Sequence, residues 1–391
     1  MGPRKRAVYI AHMPRSTLPL LMVVLLFACT NDHRSAREVD VEADTLSDTV
    51  HDGPWLIGYY AGSGTDLGAK HLEQLTHLIW CFTHVRNDSM VFDSRWDADR
   101  ARAVVDLRKR YPELKVLISM GGWGGCAPCS GTFASARGRR TFTASCKALL
   151  DSTGADGLDL DWEYPAVPGP KGHRYVEEDR HDFTLLVREL RTALGPAKEI
   201  CFAAGGEDHC LIKGFEWDSI MPLVDRVHIM SYDLVHGFSD RTGHHSPLYS
   251  CPQQRYSADH AVRLLDSLHV PRGKVVIGAA FYSRVFRGVD AKDHGLFRPG
   301  TYSISIPFNA LDTTITAAKG WTWFQDDIAK ARFAYNAQRR EFLTCDDSTS
   351  VALKARYVRE QGLGGIMFWQ LRDDRAEHGL LDAIHTALGA Y

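Results

Sequence analysis

Residues 156 to 163 read DGLDLDWE, from Asp156 to Glu163, an alternation of acids with large apolar side chains. Along a β-strand, successive side chains point to opposite faces. A strand here turns Asp159, Asp161 and Glu163 to one side and Leu158, Leu160 and Trp162 to the other. Three carboxyls crowded into one small volume cannot all ionise easily, so at least one should keep its proton near neutral pH, as a general acid must. The apolar face needs a covering layer of helices. Acids inward and apolar residues outward at a strand's C-terminal end is what a (β/α)8 barrel active site requires.

Acidic strand ends also occur in solvated loops and calcium sites. An EF-hand loop needs glycine at its sixth position and glutamate at its twelfth, whereas here Leu158, Leu160 and Trp162 interleave the acids. The spacing favours a glycosidase acid site.

Working outward, seven more short apolar runs read as strands: WLIGYY from Trp55, LTHLIWCF from Leu75, KVLISMGG from Lys115, EICFAAGG from Glu199, RVHIMSY from Arg226, KVVIGAAFY from Lys274 and GGIMFW from Gly364. With DGLDLDW they make the eight of a barrel. Helical spacing in GRRTFTASCKALLD from Gly138, and in His181 to Gly195, supplies outer helices. After the seventh strand about 80 residues intervene, too many for one helix. The expectation is an α/β fold, a (β/α)8 TIM barrel over residues 53–391, with a small inserted α+β subdomain between strand 7 and helix 7, about 287–340. Trp321, Trp323 and Phe324 in that insert either wall a cleft or form its own core.

The chain has 391 residues, 45% hydrophobic and 24% charged, with a formal net charge of -2. That mass suffices for one large core. No basic block follows the first residues, so nucleic acid and anionic membranes have little electrostatic support as partners, and a neutral polymer suits the balance. Arg4, Lys5, Arg6 and Arg15 precede an apolar run from Leu18 to Ala28, too short to span a bilayer comfortably, so residues 1–28 read as a secretion signal. The run ends in LFAC and resembles a bacterial lipoprotein signal with Cys29 as the lipidated residue; ordinary cleavage near Ala28 is the alternative. Residues 29–52 are polar and acidic and are expected to be a flexible tether. The reading is an exported protein, anchored by lipid or secreted, and a monomer.

Eight further cysteines permit disulfides without requiring them. The single CxxC, Cys126 to Cys129, lacks the second pair of a structural zinc, and Cys81 and Cys201 read as buried strand thiols. No HExxH, GxxxxGK[ST] or GxGxxG pattern occurs, so no metal or cofactor is expected. The eighteen histidines, His244 and His245 included, show no ligand spacing and read as polar or loop residues.

Together these motifs resemble glycoside hydrolase family 18, the chitinase family, from Gly53 to the end. DGLDLDWEYP matches its DxxDxDxE signature, SMGG at Ser119 to Gly122 its SxGG motif and MSYD at Met230 to Asp233 its MxYD motif; FYSR at Phe281 and Trp369 also fit. The resemblance implies hydrolysis of β-1,4 N-acetylglucosaminide linkages in chitin or its oligomers by substrate-assisted retention, in which the sugar's N-acetyl group is the nucleophile. On that pattern Glu163 is the acid, Asp161 holds the acetamido N–H, Asp159 shares a proton with Asp161, and Tyr232 donates to the acetamido carbonyl. Asp233 and Met230 shape the pocket, and Trp369 lies under the distorted sugar. Tyr59, Phe82, Trp123, Tyr164, Tyr282 and Arg284 match positions lining adjacent subsites, with core packing as the alternative. Cys345 to Asp347 read CDD, where many relatives carry a tyrosine before the two aspartates. An endo-β-N-acetylglucosaminidase acting on N-glycans and a non-catalytic chitin-binding lipoprotein are the competing readings.

Overall fold

The apolar runs become strands because their alternating side chains bury on both faces of one closed sheet. The computed structural model describes residues 53–389 apart from 63, 65, 66 and 68–71. The signal, the tether and Cys29 lie outside the described residues. In chain order the strands are β1 (Trp55–Tyr60), β2 (His77–Arg86), β3 (Ser89–Val91), β4 (Lys115–Gly121), β5 (Gly157–Asp161), β6 (Glu199–Gly205), β7 (Arg226–Met230), β8 (Val275–Ala280), β9 (Tyr282–Arg287), β10 (Thr301–Pro307), β11 (Trp321–Asp326), β12 (Ala331–Asn336), β13 (Glu341–Cys345) and β14 (Gly365–Trp369).

Eight of them pair in parallel in the order β1-β14-β8-β7-β6-β5-β4-β2, and pairing of β1 with β2 closes the ring. This is the expected (β/α)8 barrel. The short β3 only folds back on β2 as an antiparallel hairpin.

Alternation separates two cores. Ile57, Tyr59, Ile79, Leu117, Cys201, Val276 and Met367 fill the barrel interior, while Leu158, Leu160 and Trp162 join the layer beneath the helices. The Trp162 ring lies 5.4 Å from Phe133 and 6.1 Å from Phe183, residues of the helices Cys129–Phe133 and Asp179–Leu194. Burying such a side chain contributes about 1.5–3 kcal/mol. The helix Ala136–Thr153 starts on Ser135, whose side chain accepts from the Gly138 N–H, and ends on left-handed Gly154. No helix among the described residues is long and apolar enough to cross a membrane.

The insert is a five-stranded antiparallel sheet, β10-β9-β13-β12-β11, between barrel strand β8 and the helix Ser348–Gln361. It is wider at both ends than 287–340. The chain leaves β8 and passes after one residue into β9, which pairs with β13 from Ser283↔Cys345 to Arg287↔Glu341. Tyr282 and Arg284 therefore belong to the insert. Of its aromatics, Trp321 is buried and Trp323 half-buried against the layer that Trp162 joins, with the Trp323 ring under the Arg332 guanidinium at 4.3 Å, while Phe324 stacks on Phe333 at 5.3 Å in a separate cluster of the insert.

Candidate active site

Register places the acids. Ser119 on β4, Asp159 on β5 and Cys201 on β6 are lateral neighbours, and one layer higher Gly121 pairs with Asp161. A Cβ on Gly121 would come within 2.1 Å of the Asp161 carbonyl oxygen, so only glycine lets the two strands approach there. Asp159, Asp161 and Glu163 are 0%, 4% and 8% exposed, a gradient from barrel interior to mouth.

Asp159 is enclosed by donors. Ser119 Oγ donates to its Oδ2 at 2.7 Å, and Tyr59 Oη and Cys201 Sγ donate to its Oδ1 at 3.1 and 3.2 Å. His228 Nδ1 lies 3.4 Å from the same oxygen and 2.7 Å from Tyr59 Oη. Burial alone would raise this carboxyl, but hydrogen bonds centred on His228, Ser119 and Cys201 outweigh it and hold Asp159 below its usual range. Burial also depresses the His228 imidazole, against the pull of Asp159, so the ring is neutral near pH 7.

Asp161 and Glu163 go the other way. Burial first, then the charges of Glu163 and Asp159, push Asp161 well above the carboxylate range. Glu163 rises to about 7, chiefly through burial, with Tyr164 opposing and Asp233 adding. Asp159 is engaged by Tyr59, Ser119 and Cys201, and Asp161 Oδ1 is buried with no hydrogen-bond partner. Of the three carboxyls, Asp161 and Glu163 are the ones raised above their usual range.

The remaining expected residues fall into three groups. Tyr59, Met230, Phe82, Tyr164, Tyr232 and Trp369 pack together in the barrel interior. Trp369 stacks on Phe82 at 5.6 Å and lies 6.0 Å from Tyr59. The Tyr232 ring fits because Gly278 has no side chain; a Cβ there would meet it at 2.7 Å. Its phenol is held protonated by burial, with Asp161, Glu163 and Asp233 all adding.

The second group joins barrel to insert. Asp233 accepts from Tyr282 Oη and Arg284 Nε, each at 2.7 Å, and Arg284 also reaches Ser305 at 2.8 Å. Burial would raise Asp233, but His245 and Arg284 outweigh it and hold the carboxyl far below the usual range. Trp123 stands apart on the rim, 55% exposed, with its ring 6.2 Å from Phe238. A disulfide between Cys126 and Cys129 closes the loop just after it.

Sequence motifs missed several neighbours. His244 and His245, read as polar or loop residues, are fully buried: His244 Nε2 lies 2.9 Å from Asp326 Oδ2, and His245 Nδ1 lies 3.6 Å from Asp233 Oδ1. The sequence offered no metal-ligand spacing, yet ligand atoms of Asp159, Cys201 and His228 come within 4.8 Å of one another. They stand on three different strands, which linear spacing cannot reveal, and all three already serve the hydrogen-bonded network around Asp159.

A closed parallel barrel with an acid ladder on its fourth strand narrows the family, and direct comparison decides it. The family model described as "Glycosyl hydrolases family 18" matches residues 56–374. The chain belongs to glycosyl hydrolases family 18. Among its family 18 relatives, chitinase A1 of Niallia circulans is 32% identical over 307 residues, covering 72% of this chain and 44% of that protein. Chitotriosidase-1 of Mus musculus is 30% identical over 312 residues, 76% of this chain and 66% of that protein. The chain thus spans less than two thirds of either relative. A solved family 18 N-acetylglucosaminidase from Paenibacillus barengoltzii superposes with a TM-score of 0.78 at 31% identity, over 85% of this chain and 99% of that one.

Proposed function

We propose that this family 18 chain is a chitinase that cleaves β-1,4 N-acetylglucosaminide linkages by substrate-assisted retention. The observation that carries the reading is Glu163 at the barrel mouth, its carboxyl raised to about 7, beside an Asp161 whose Oδ1 has no partner in the protein. A carboxyl titrating there is half protonated at neutral pH, where a general acid works best. Glu163 gives its proton to the glycosidic oxygen while the acetamido carbonyl attacks the anomeric carbon. The C1–O bond breaks, an oxazolinium forms, and Glu163, now a base, activates the water that opens it. Asp161 Oδ1 accepts the acetamido N–H, placing negative charge beside a nitrogen that turns positive. Tyr232, kept as phenol, donates to the acetamido carbonyl and aims it. The Trp369 face, backed by Phe82 and Tyr59, takes the sugar's apolar C–H surface.

The Paenibacillus relative's description as an N-acetylglucosaminidase favours a second reading, in which single sugars are released from chain ends. Intact Glu163 counts against a purely binding role, and Tyr164 and Pro165 with the insert favour the chitinase branch over one acting on N-glycans. Export, by lipid anchor or secretion, belongs to the same proposal and rests on the N-terminal sequence. Chitotetraose is expected to be cut chiefly to the disaccharide, with cellotetraose and a high-mannose glycoprotein left intact. Release from the glycoprotein alone would overturn the reading, and accumulation of monosaccharide would select the second one.

The strapped rim loop yields another expected result. Gly122 and Gly124 both have positive φ, so the loop carrying Trp123 is intrinsically loose without its Cys126–Cys129 bridge. Replacing both cysteines by serine should raise KM for chitotetraose roughly fivefold through about 1 kcal/mol of lost ordering, with kcat nearly unchanged. An unchanged KM would remove Trp123 from the bound complex.

A further inference from the structure

Catalytic readings of this site use Asp159, Asp161, Glu163 and Tyr232, and leave a fully buried imidazole beneath them without a task. His228 is on β7, two residues before Met230, and is 0% exposed. Its Nδ1 lies 2.7 Å from Tyr59 Oη, and Tyr59 stands edge-on to it at 85°. Its Nε2 is buried with no hydrogen-bond partner.

That single unpartnered atom fixes the protons. An imidazolium, or the Nε2–H tautomer, would leave an N–H donor orphaned in the interior, which is costlier than a bare lone pair. The ring is therefore neutral with its proton on Nδ1. Nδ1–H donates to Tyr59 Oη, and the one Tyr59 proton is left for Asp159 Oδ1. Two aligned donors polarise each other in the same direction. Titratable and charged groups facing this cluster are Tyr59 from β1, Cys81 from β2, Asp159 and Asp161 from β5, Cys201 from β6, Arg226 on β7 itself and Tyr232 just after it. Arg226 is engaged by Glu199 and lies over the Trp55 ring at 4.7 Å. Cys201 points its thiol at the same Oδ1, so strands β1 and β6 both direct a proton toward one oxygen.

We propose that His228 is a positioning residue of the acid site: as a neutral imidazole donating Nδ1–H to Tyr59 Oη, it turns the Tyr59 proton onto Asp159, keeps that carboxylate charged and leaves the exchangeable proton to Asp161 and Glu163. The proposal rests on the reading of Asp161 and Glu163 as the reacting pair. His228 touches no substrate; it acts through Tyr59 and, with Nδ1 3.4 Å from Asp159 Oδ1, beside that carboxylate itself. Without its donor, Tyr59 is free to turn, Asp159 loses an aligned proton and binds one of its own more readily.

The experiment compares His228→Leu with His228→Asn, whose Nδ2–H replaces the donor at nearly the same place and carries no charge at any pH. Asp159 is held below its ordinary range, so losing the donor raises its proton affinity, and protonation sets in at higher pH as the solution is acidified. The acid limb of kcat/KM on a fluorogenic chitobioside should therefore move up by about one pH unit in His228→Leu, with roughly a tenfold loss on that limb. His228→Asn should keep the wild-type limb. An unshifted limb in His228→Leu, or equal damage in both variants, overturns the proposal. Nitrogen NMR of the wild-type protein, assigned against His228→Asn, gives a reading independent of turnover and of how the leucine variant folds. It should show Nδ1 protonated and Nε2 bare near neutral pH, and an imidazolium or an Nε2–H tautomer overturns the proposal. Absence of turnover in the wild type, with the expected NMR spectrum, would instead sink the catalytic reading and leave the donor geometry standing.

Discussion

Glu163→Gln is expected to lower kcat on a fluorogenic chitobioside by about a hundred- to ten-thousandfold, because an amide of the same shape has no proton to give the leaving oxygen. Binding should weaken far less, since the side chain keeps its volume. The wild type carries a pH signature of the same group. Burial raises Glu163 to about 7, and a general acid works only while protonated. Activity should therefore decline as pH rises through about 7, and any residual activity of Glu163→Gln should lack that decline. Equal rates in the two proteins would refute the assignment, as would a variant that keeps the alkaline limb.

Lys354→Met should be the most destabilising single change away from the acid site. Lys354 Nζ and the Asp346 carboxylate are 2.6 Å apart at 0% and 1% side-chain exposure. Ser246 and Ser350 donate to the same carboxylate at 2.9 and 2.6 Å, and the Ala280 N–H at the end of β8 donates at 3.0 Å. Asp346 thereby ties the exit of barrel strand β8 to the helix that follows the insert. Burial opposes its ionisation, but Lys354 and these donors hold it below its usual range. Removing the ammonium leaves a buried carboxylate without its counter-charge, a loss of about 3–5 kcal/mol. Lys354→Met with Asp346→Asn should regain much of that loss, because two neutral groups need no counter-charge. Urea unfolding of both variants checks this, and a single variant as stable as the wild type would show the pair to be dispensable.

The same pair explains why CDD at Cys345 to Asp347 tolerates its departure from the tyrosine-bearing pattern. Asp346 makes the bond to Lys354, Asp347 caps the helix Ser348–Gln361 by accepting from the Ser350 N–H at 2.8 Å, and Cys345 is the buried end of β13. The two aspartates have structural work, and the residue before them only has to pack.

Much of the fold was legible because strand periodicity is local. Alternation in DGLDLDWE required one acidic and one apolar face whatever surrounded it, and eight such runs separated by helical patterns leave few ways to close a sheet. The insert's limits were less legible. The insert was placed from about residue 287, and only pairing with β13, more than fifty residues later, shows that the chain changes sheets already at Tyr282 to Arg287.

By itself the sequence determined the barrel and the inward face of Asp159, Asp161 and Glu163, since both follow from spacing within short runs, while the remaining motif residues came from the family resemblance. Tertiary structure alone decided how the three acids differ. Asp159 lies among donors from β1, β4 and β6 beside an imidazole on β7, while Asp161 and Glu163 meet burial and each other's charge. Proton affinity depends on burial and on partners converging from distant segments, and so it came into being only when the barrel closed.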